Sequence, residues 1–465
     1  MSAERLREQR SRLREPVAAR SQGASTLRDS NSPDEGLGKL SPGPGMLASE
    51  VAAHQRARIH RAMTEITANR GYAGVTVRET ARVAGVSSRS FYKLFKGKDD
   101  CFFATYDWIV DRAVRQIAAV QVGENDGLKA LRLALGTLTG LLQSDPLAAR
   151  LVLVEAYSAG PHALARIRRT ESLLKAMILV SFESRSERTA VSPMVIEGMA
   201  AGAIHVARTQ LLTTDYDFTP DALGDELTEW MFELLHAPVA DLPKLDRRTV
   251  SNGVQMYRPE PGEVDMVVDQ ADNERALFLS AVAKLVMAEK SSRPTVQGIL
   301  RATGLSRRSF ETHFSSADEC LLAMLESRGR NAICDIFEAR RRACSPVSGA
   351  YLAISAFCEM LASDPLLARI CIVDTLVPGN AGRQCRERFT RDLAAATFDV
   401  SSPASPKRLF AEASVGAVYG VIRHYVRSER THQLPENAAA IAVLGLGPIA
   451  GWQAVAAAIE NQQVD

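Results

Sequence analysis

Apolar residues recur at three- and four-residue spacing through 100–121, 128–142, 147–157, 163–182, 194–212 and 222–235. That is the period of a helix with one buried face. No run alternates apolar and polar residues as a half-buried strand does, so the pattern predicts an all-α chain. Two stretches interrupt it. Residues 1–46 are poor in apolar side chains and rich in Ser, Pro, Gly and Arg, which reads as a disordered arm. Residues 237–270 hold Pro238, Pro243, Pro259 and Pro261 and no helical period, which reads as a linker. The nearly uncharged stretch Ala438–Ile459 is expected to be a buried helix at a subunit or domain contact and not a membrane span.

The helical pattern occurs twice. "GVSSRSFYKLF" at 85–95 matches "GLSRRSFETHF" at 304–314, and "SDPLAAR" at 144–150 matches "SDPLLAR" at 363–369. Both pairs share an offset of 219 residues, as do Asp99 with Asp318 and Cys101 with Cys320. One offset across separate segments predicts a tandem duplication. "GAI" at 202–204 and "GAV" at 416–418 imply a shorter interval later on. The expected domains are a head at 47–98 with a body at 99–236, and a second head at 271–317 with a body at 318–465.

Each head carries a helix-turn-helix signature. Thr76 followed by Glu79 forms a capping box for a first short helix. Gly85 stands where that helix needs a left-handed stop, Ser87 caps the next one, and Val86 with Phe91 forms a hydrophobic staple. The second helix then buries Phe91 and Phe95 and offers Ser88, Arg89, Tyr92 and Lys93 on its other face. Arginine suits guanine edges, while Lys, Ser and Tyr suit phosphates or base edges. From His54 to Lys98 there are ten basic residues against two acidic, on a chain whose net charge is only +2. That is the charge footprint of a nucleic-acid binder.

"TVRETARVAGVSSRSFYKLFKGKDDCF" and the helix "HQRARIHRAMTEITANRGYAGV" before it resemble the DNA-binding domain of the tetracycline-repressor (TetR) family. The resemblance covers residues 50–235 and, more faintly, 272–460. It implies a three-helix head on a helical body of about six helices that binds ligand and pairs. It also implies a regulator, usually a repressor, released from a double-stranded DNA operator by a small apolar effector. Tyr92 and Lys98 match the family's phosphate contacts, and Thr76 matches a backbone-contacting residue. With Ser87, Ser88, Arg89, Ser90 and Lys93 they make up the expected DNA-binding set.

The second head keeps Thr295, Gly304, Ser306 and the Leu305–Phe310 staple. Its outer face departs: Glu311 replaces Tyr92, Thr312 replaces Lys93, Ala317 replaces Lys98 and Gly298 replaces Glu79. Arg307 and Arg308 remain placed for DNA. The matching window, 273–317, has seven basic residues against three acidic. The first head is therefore expected to dominate DNA affinity.

Pairing is expected through 193–212 with 222–235 and through 405–427 with 436–459. It occurs either within one chain, as a pseudodimer, or between chains, as a homodimer. Trp108, Tyr157, His205 and Tyr419 are the expected pocket residues. The seven cysteines are irregularly spaced with no CxxC, which predicts reduced, mostly buried thiols in a cytoplasmic protein and no metal site. No secretory signal is visible. No phosphate-binding loop, dinucleotide fingerprint, zinc-protease motif or nucleophile elbow appears. Asp145–Pro146 and Asp364–Pro365 read as helix starts, so neither an enzyme nor a cofactor is expected. The alternative is a ligand- or partner-binding helical protein whose DNA binding is weak or lost.

Overall fold

The computed structural model describes residues 47–183, 191–212, 220–238, 270–288, 294–364, 368, 379–397 and 408–464. The arm at 1–46 and nearly all of the 237–270 linker lie outside the described residues. Every regular element among the described residues is helical.

The first set of helices is α1 (Ala48–Arg70), α2 (Val77–Val83), α3 (Ser88–Leu94), α4 (Lys98–Gln121), α5 (Gly127–Ser144), α6 (Pro146–Leu153), α7 (Pro161–Glu183), α8 (Pro193–Leu212) and α9 (Pro220–Leu235). The second is α10 (Gln270–Ala288), α11 (Val296–Thr303), α12 (Arg307–His313), α13 (Ala317–Arg341), α14 (Pro346–Ser363), α15 (Gly379–Thr397), α16 (Arg408–Arg427), α17 (Leu434–Ala450) and α18 (Trp452–Val464).

Local chemistry sets the boundaries. Asp145 caps α6, its Oδ1 accepting from the Ala148 amide at 3.2 Å, with Pro146 at the first helical position. Two expected helices are broken. The 147–157 pattern ends as α6 at Leu153 and resumes as a 3-10 turn over Glu155–Ser158. The 436–459 pattern splits at Gly451, whose φ is 88°, into α17 and α18. A Cβ on Gly447 would stand 1.7 Å from the Trp452 ring, so the fold needs bare backbone there to turn α18 across the end of α17.

Buried apolar side chains gather in three clusters among the described residues. One holds the first head together with α6 and part of α7, around Ile59, Met63, Phe91, Phe95 and Phe102. One holds the second head, around Phe278, Ile299, Phe310 and Phe314. The third is continuous across both bodies and includes Leu135, Met199 and Trp230 together with Phe357, Val421 and Leu444.

That continuity rests on α8 lying against α16. Glycines make the approach close. A Cβ on Gly202 would stand 2.6 Å from the Ala413 carbonyl oxygen, one on Gly416 2.4 Å from His205 Cβ, and one on Gly420 2.0 Å from Ala201 Cβ. Polar bonds fix the register: Trp230 Nε1 donates to Ser414 Oγ at 3.2 Å. Glu171 on α7 accepts from Arg423 at 2.9 Å and Arg427 at 3.1 Å. Helices α9 and α17 complete the contact. The stretch expected to be buried at a domain contact is thus largely α17, whose Ala438–Pro448 segment is mostly buried.

The thiols depart from expectation. Cys101, Cys320 and Cys358 are buried, but Cys334 and Cys344 are exposed and Cys385 is half-buried. No cysteine-, histidine- or carboxylate-rich cluster suited to a metal occurs among the described residues. No described helix is long and apolar enough to cross a membrane.

Candidate nucleic-acid interface

The first head is built as its sequence demands. Thr76 Oγ1 accepts from the Glu79 amide at 3.3 Å. The reciprocal half of the expected capping box is not made: the Glu79 carboxylate instead takes Arg70, at 2.7 Å, with Arg82 at 3.8 Å. Two guanidiniums are stronger partners for a carboxylate than one backbone amide. The stop of α2 is a complete Schellman motif. Val86 N–H bonds Ala81 O at 2.9 Å, Gly85 N–H bonds Arg82 O at 3.0 Å, and Gly85 has φ 61°. Ser87 Oγ accepts from the Ser90 amide at 3.0 Å to start α3. Phe91 and Phe95 anchor α3 in the head core, at 0% and 4% exposure.

Anchoring those two rings turns the opposite face of α3 outward. Ser87, Ser88, Arg89, Tyr92 and Lys93 are exposed, as is Thr76, while Ser90 and Lys98 are half-buried. Among the described residues, neither Arg89 nor Lys93 has an ion-pair partner. Lys98 is held in place, its ammonium 4.2 Å above the Tyr72 ring. Tyr72 in turn donates its hydroxyl to Asp99. Burial raises the Tyr72 pKa, helped by that bond and by the Asp99 charge. The sequence reading missed this Tyr72–Lys98–Asp99 lock, because Tyr72 starts a three-residue 3-10 turn, too short to show a period. It also missed Arg58, whose guanidinium lies 2.2 Å from where a Gly85 Cβ would stand.

The second head has the same frame and a different face. Thr295 Oγ1 accepts from the Gly298 amide at 3.1 Å, Gly304 has φ 71°, and Ser306 Oγ accepts from the Ser309 amide at 3.1 Å. Arg307 and Arg308 are exposed. Arg307 is not free, however: its Nε donates to Glu311 Oε1 at 2.8 Å, one helical turn along. The residue that replaces Tyr92 therefore neutralises one of the two arginines left for DNA. The Arg308 guanidinium has no ion-pair partner among the described residues.

The four expected pocket residues do not come together. A cavity of about 150 Å³ in the first body has Tyr157 in its wall, but not Trp108, His205 or Tyr419. Trp108 stacks on His60, ring centroids 5.5 Å apart, where α4 meets the head. Thr105 donates its hydroxyl to Cys101 O at 2.8 Å, so His60 Nδ1 must be the donor in its 2.8 Å bond to Thr105. Burial, with the Arg56 charge second, lowers the His60 pKa to about 4. It is a neutral core histidine. His205 is packed beneath Gly416 between α8 and α16, its pKa lowered to about 4 by burial and then by Arg208 and Arg423. Tyr419, on α16, packs against the shared core. Each aromatic fills a helix–helix contact, for which its periodic position is equally suited.

Three solved structures are similar to parts of this chain. FadR from Bacillus subtilis, a transcriptional regulator solved in complex with stearoyl-CoA, aligns at 17% identity over 38% of this chain and 96% of its own, with a TM-score of 0.35. FadR from Bacillus halodurans, a fatty acid degradation regulator, aligns at 18% identity over 39% and 97%, also at 0.35. A TetR-like transcriptional regulator from Rhodococcus sp. RHA1 aligns at 16% identity over 41% and 98%, again at 0.35. The segment that forms the first head and enters α4, residues 59–105, matches the family described as bacterial regulatory proteins, tetR family.

Proposed function

We propose that the chain is a sequence-specific DNA-binding transcription regulator of the TetR type, a repressor, made of two tandem TetR-like units paired within one chain. The observation that carries the DNA reading is the outward face of α3. It holds Arg89 and Lys93 unpaired beside Tyr92 and Lys98, on a head that is strongly basic and matches the tetR-family domain. Such a face suits the major groove, with Arg89 toward base edges and Tyr92, Lys93, Lys98 and Thr76 toward phosphates.

The close packing of α8 and α9 on α16 and α17 favours a pseudodimer over a homodimer, since it occupies the helices that a homodimer would use. A pseudodimer with unlike heads suits an operator with unlike half-sites. The first body's cavity is the proposed effector site. One wall is Tyr106 of α4, which also belongs to the buried cluster that holds the head.

The test is light scattering of the full chain, free and bound to a selected operator fragment, together with binding at several salt concentrations. One chain per operator is expected, with affinity falling steeply in salt, by about 0.9 log units per phosphate neutralised for each log unit of salt. Two chains per operator would reject the pseudodimer. No enrichment of any fragment at low salt would reject the DNA reading and leave a ligand- or partner-binding protein.

A further inference from the structure

Resting on the reading of the first body's cavity as an effector site, we infer that its ligand is an uncharged, largely apolar molecule carrying one hydroxyl, whose proton Glu171 accepts. The cavity, about 150 Å³, is the size of an engineered protein cavity that takes up benzene. Its walls include Leu135, Leu138, Ile167, Leu174, Leu223 and Leu227. The apolar wall sets the body of the ligand; the few polar groups set its one polar atom.

Those polar groups are Tyr106, Thr139, Tyr157, Thr170 and Glu171, and the protons of Tyr106, Thr139 and Thr170 are committed. Thr170 Oγ1 donates to the Arg166 carbonyl at 3.2 Å. Its 2.9 Å bond to Tyr106 is therefore donated by the tyrosine. Thr139 Oγ1 shares its proton between the carbonyls of Leu135 and Gly136, each at 3.0 Å. The Tyr157 ring carries the Arg208 guanidinium, 4.6 Å from its centroid. Beside Glu171, where Tyr106 and Thr170 spend their protons, the cavity thus offers acceptors, and a ligand must bring the donor.

Glu171 decides the ligand's charge. Each of its oxygens takes one guanidinium, from Arg423 and Arg427 of α16. A carboxylate has about four acceptor positions, so it can take a further donor from the cavity side. Two guanidiniums already share its single negative charge. A ligand ammonium would be a third cation there, and a ligand carboxylate would meet Glu171 with no donor to receive it. Either buries a poorly compensated charge. A hydroxyl needs only the acceptor.

The site belongs to the first body. At the 219-residue offset, Phe357 and Phe389 stand where Leu138 and Thr170 line the cavity, and Thr390 stands for Glu171. Those two rings lie 6.3 Å apart. Because Arg423 and Arg427 come from the second body, the carboxylate that receives the ligand also holds the two bodies together.

Isothermal titration calorimetry of the full chain at pH 7, without DNA, tests the inference with benzyl alcohol, toluene, benzylamine and benzoate. Benzyl alcohol should saturate at one per chain and bind about tenfold tighter than toluene, the worth of one hydrogen bond to a charged acceptor. Benzylamine and benzoate should bind more weakly than either. Glu171→Leu should erase the alcohol's advantage and keep toluene binding. Because that change also removes the carboxylate that two arginines share, Thr170→Phe serves as a second variant: it should block every probe while the thermal unfolding of the chain is retained. The inference is overturned if either charged probe matches the alcohol, if the alcohol preference survives Glu171→Leu, if Thr170→Phe leaves binding intact, or if the alcohol gives no saturable heat. With no DNA present, these outcomes are independent of whether the heads bind an operator.

Discussion

Glu412 on α16 keeps one carboxylate oxygen, Oε2, buried without a hydrogen-bond partner. The Arg408 guanidinium stands 3.9 Å from the other oxygen, Oε1, beyond hydrogen-bonding reach. Burial pushes the Glu412 pKa from 4.5 up to about 7. A carboxyl raised in the fold contributes stability that is full below its unfolded pKa and is lost as pH rises through the folded one. Glu412→Gln removes that dependence while keeping the shape. The variant should melt higher than the parent at pH 8 and by much less at pH 5. His60 and His205, lowered to about 4, have the opposite slope, so the readout is the difference between variant and parent. A difference constant from pH 5 to pH 8 would reject the assignment. The heads give a second residue-scale prediction. Arg89→Ala with Lys93→Ala should weaken operator binding far more than Arg307→Ala with Arg308→Ala, because Arg307 is already spent on Glu311. Glu311→Ala should strengthen binding, by releasing Arg307 and removing a negative charge from the DNA side. Equal losses from the two double variants, in a gel-shift titration at fixed salt, would reject the ranking.

Helices α2 and α11 both end on a left-handed glycine, Gly85 and Gly304. A Cβ on Gly304 would meet nothing within 4 Å, whereas one on Gly85 would meet Arg58. Strain from φ is common to both sites, so Gly304→Ala and Gly85→Ala should each cost about 1 kcal/mol. Hydrogen exchange in the turn and the helix after it would measure this. Only Gly85→Ala should also weaken DNA binding, because it displaces Arg58 on a head that carries the basic face. Such turns were readable from sequence because each needs one residue type at one position: a hydroxyl or Asp to cap, a glycine to stop. The outward face of α3 was readable for a related reason, since Phe91 and Phe95 leave the other face only one direction. The pocket was not readable. Tyr157 lines it, but Trp108, His205 and Tyr419 sit at the same helical spacing in ordinary contacts. Periodicity tells which face is buried and not what it is buried against. Glu171 and Arg423 had a faint signal as charged residues on apolar faces, but their pairing spans 252 residues, and nothing local in the chain joins them.

A core continuous across both bodies has a thermodynamic consequence. The cluster around Trp230, Phe357 and Leu444 removes apolar surface from water only while both bodies are folded and docked. At about 25 cal/mol per Å² of apolar area, neither body retains that stabilisation alone. Opening one would also expose Glu171 and Arg423, which are buried together, and the half-buried Arg427 beside them. The two bodies should therefore unfold in one transition even though the chain is long enough for two domains. Gly202→Leu tests this at the close contact of α8 with α16. Its side chain would collide with Trp230 and with the Ala413 carbonyl, and backbone cannot yield as a flexible side chain can. In urea, the parent should show coincident transitions for a fluorescence probe near Trp108 in the first unit and one near Trp452 in the second. Gly202→Leu should separate them, with a smaller m-value for each step. The same variant should leave α3 folded, yet bind the operator more weakly than the parent, because the two heads are no longer held at a fixed spacing. Separate transitions in the parent would mean that the shared core adds little, and that the linker alone holds the units together.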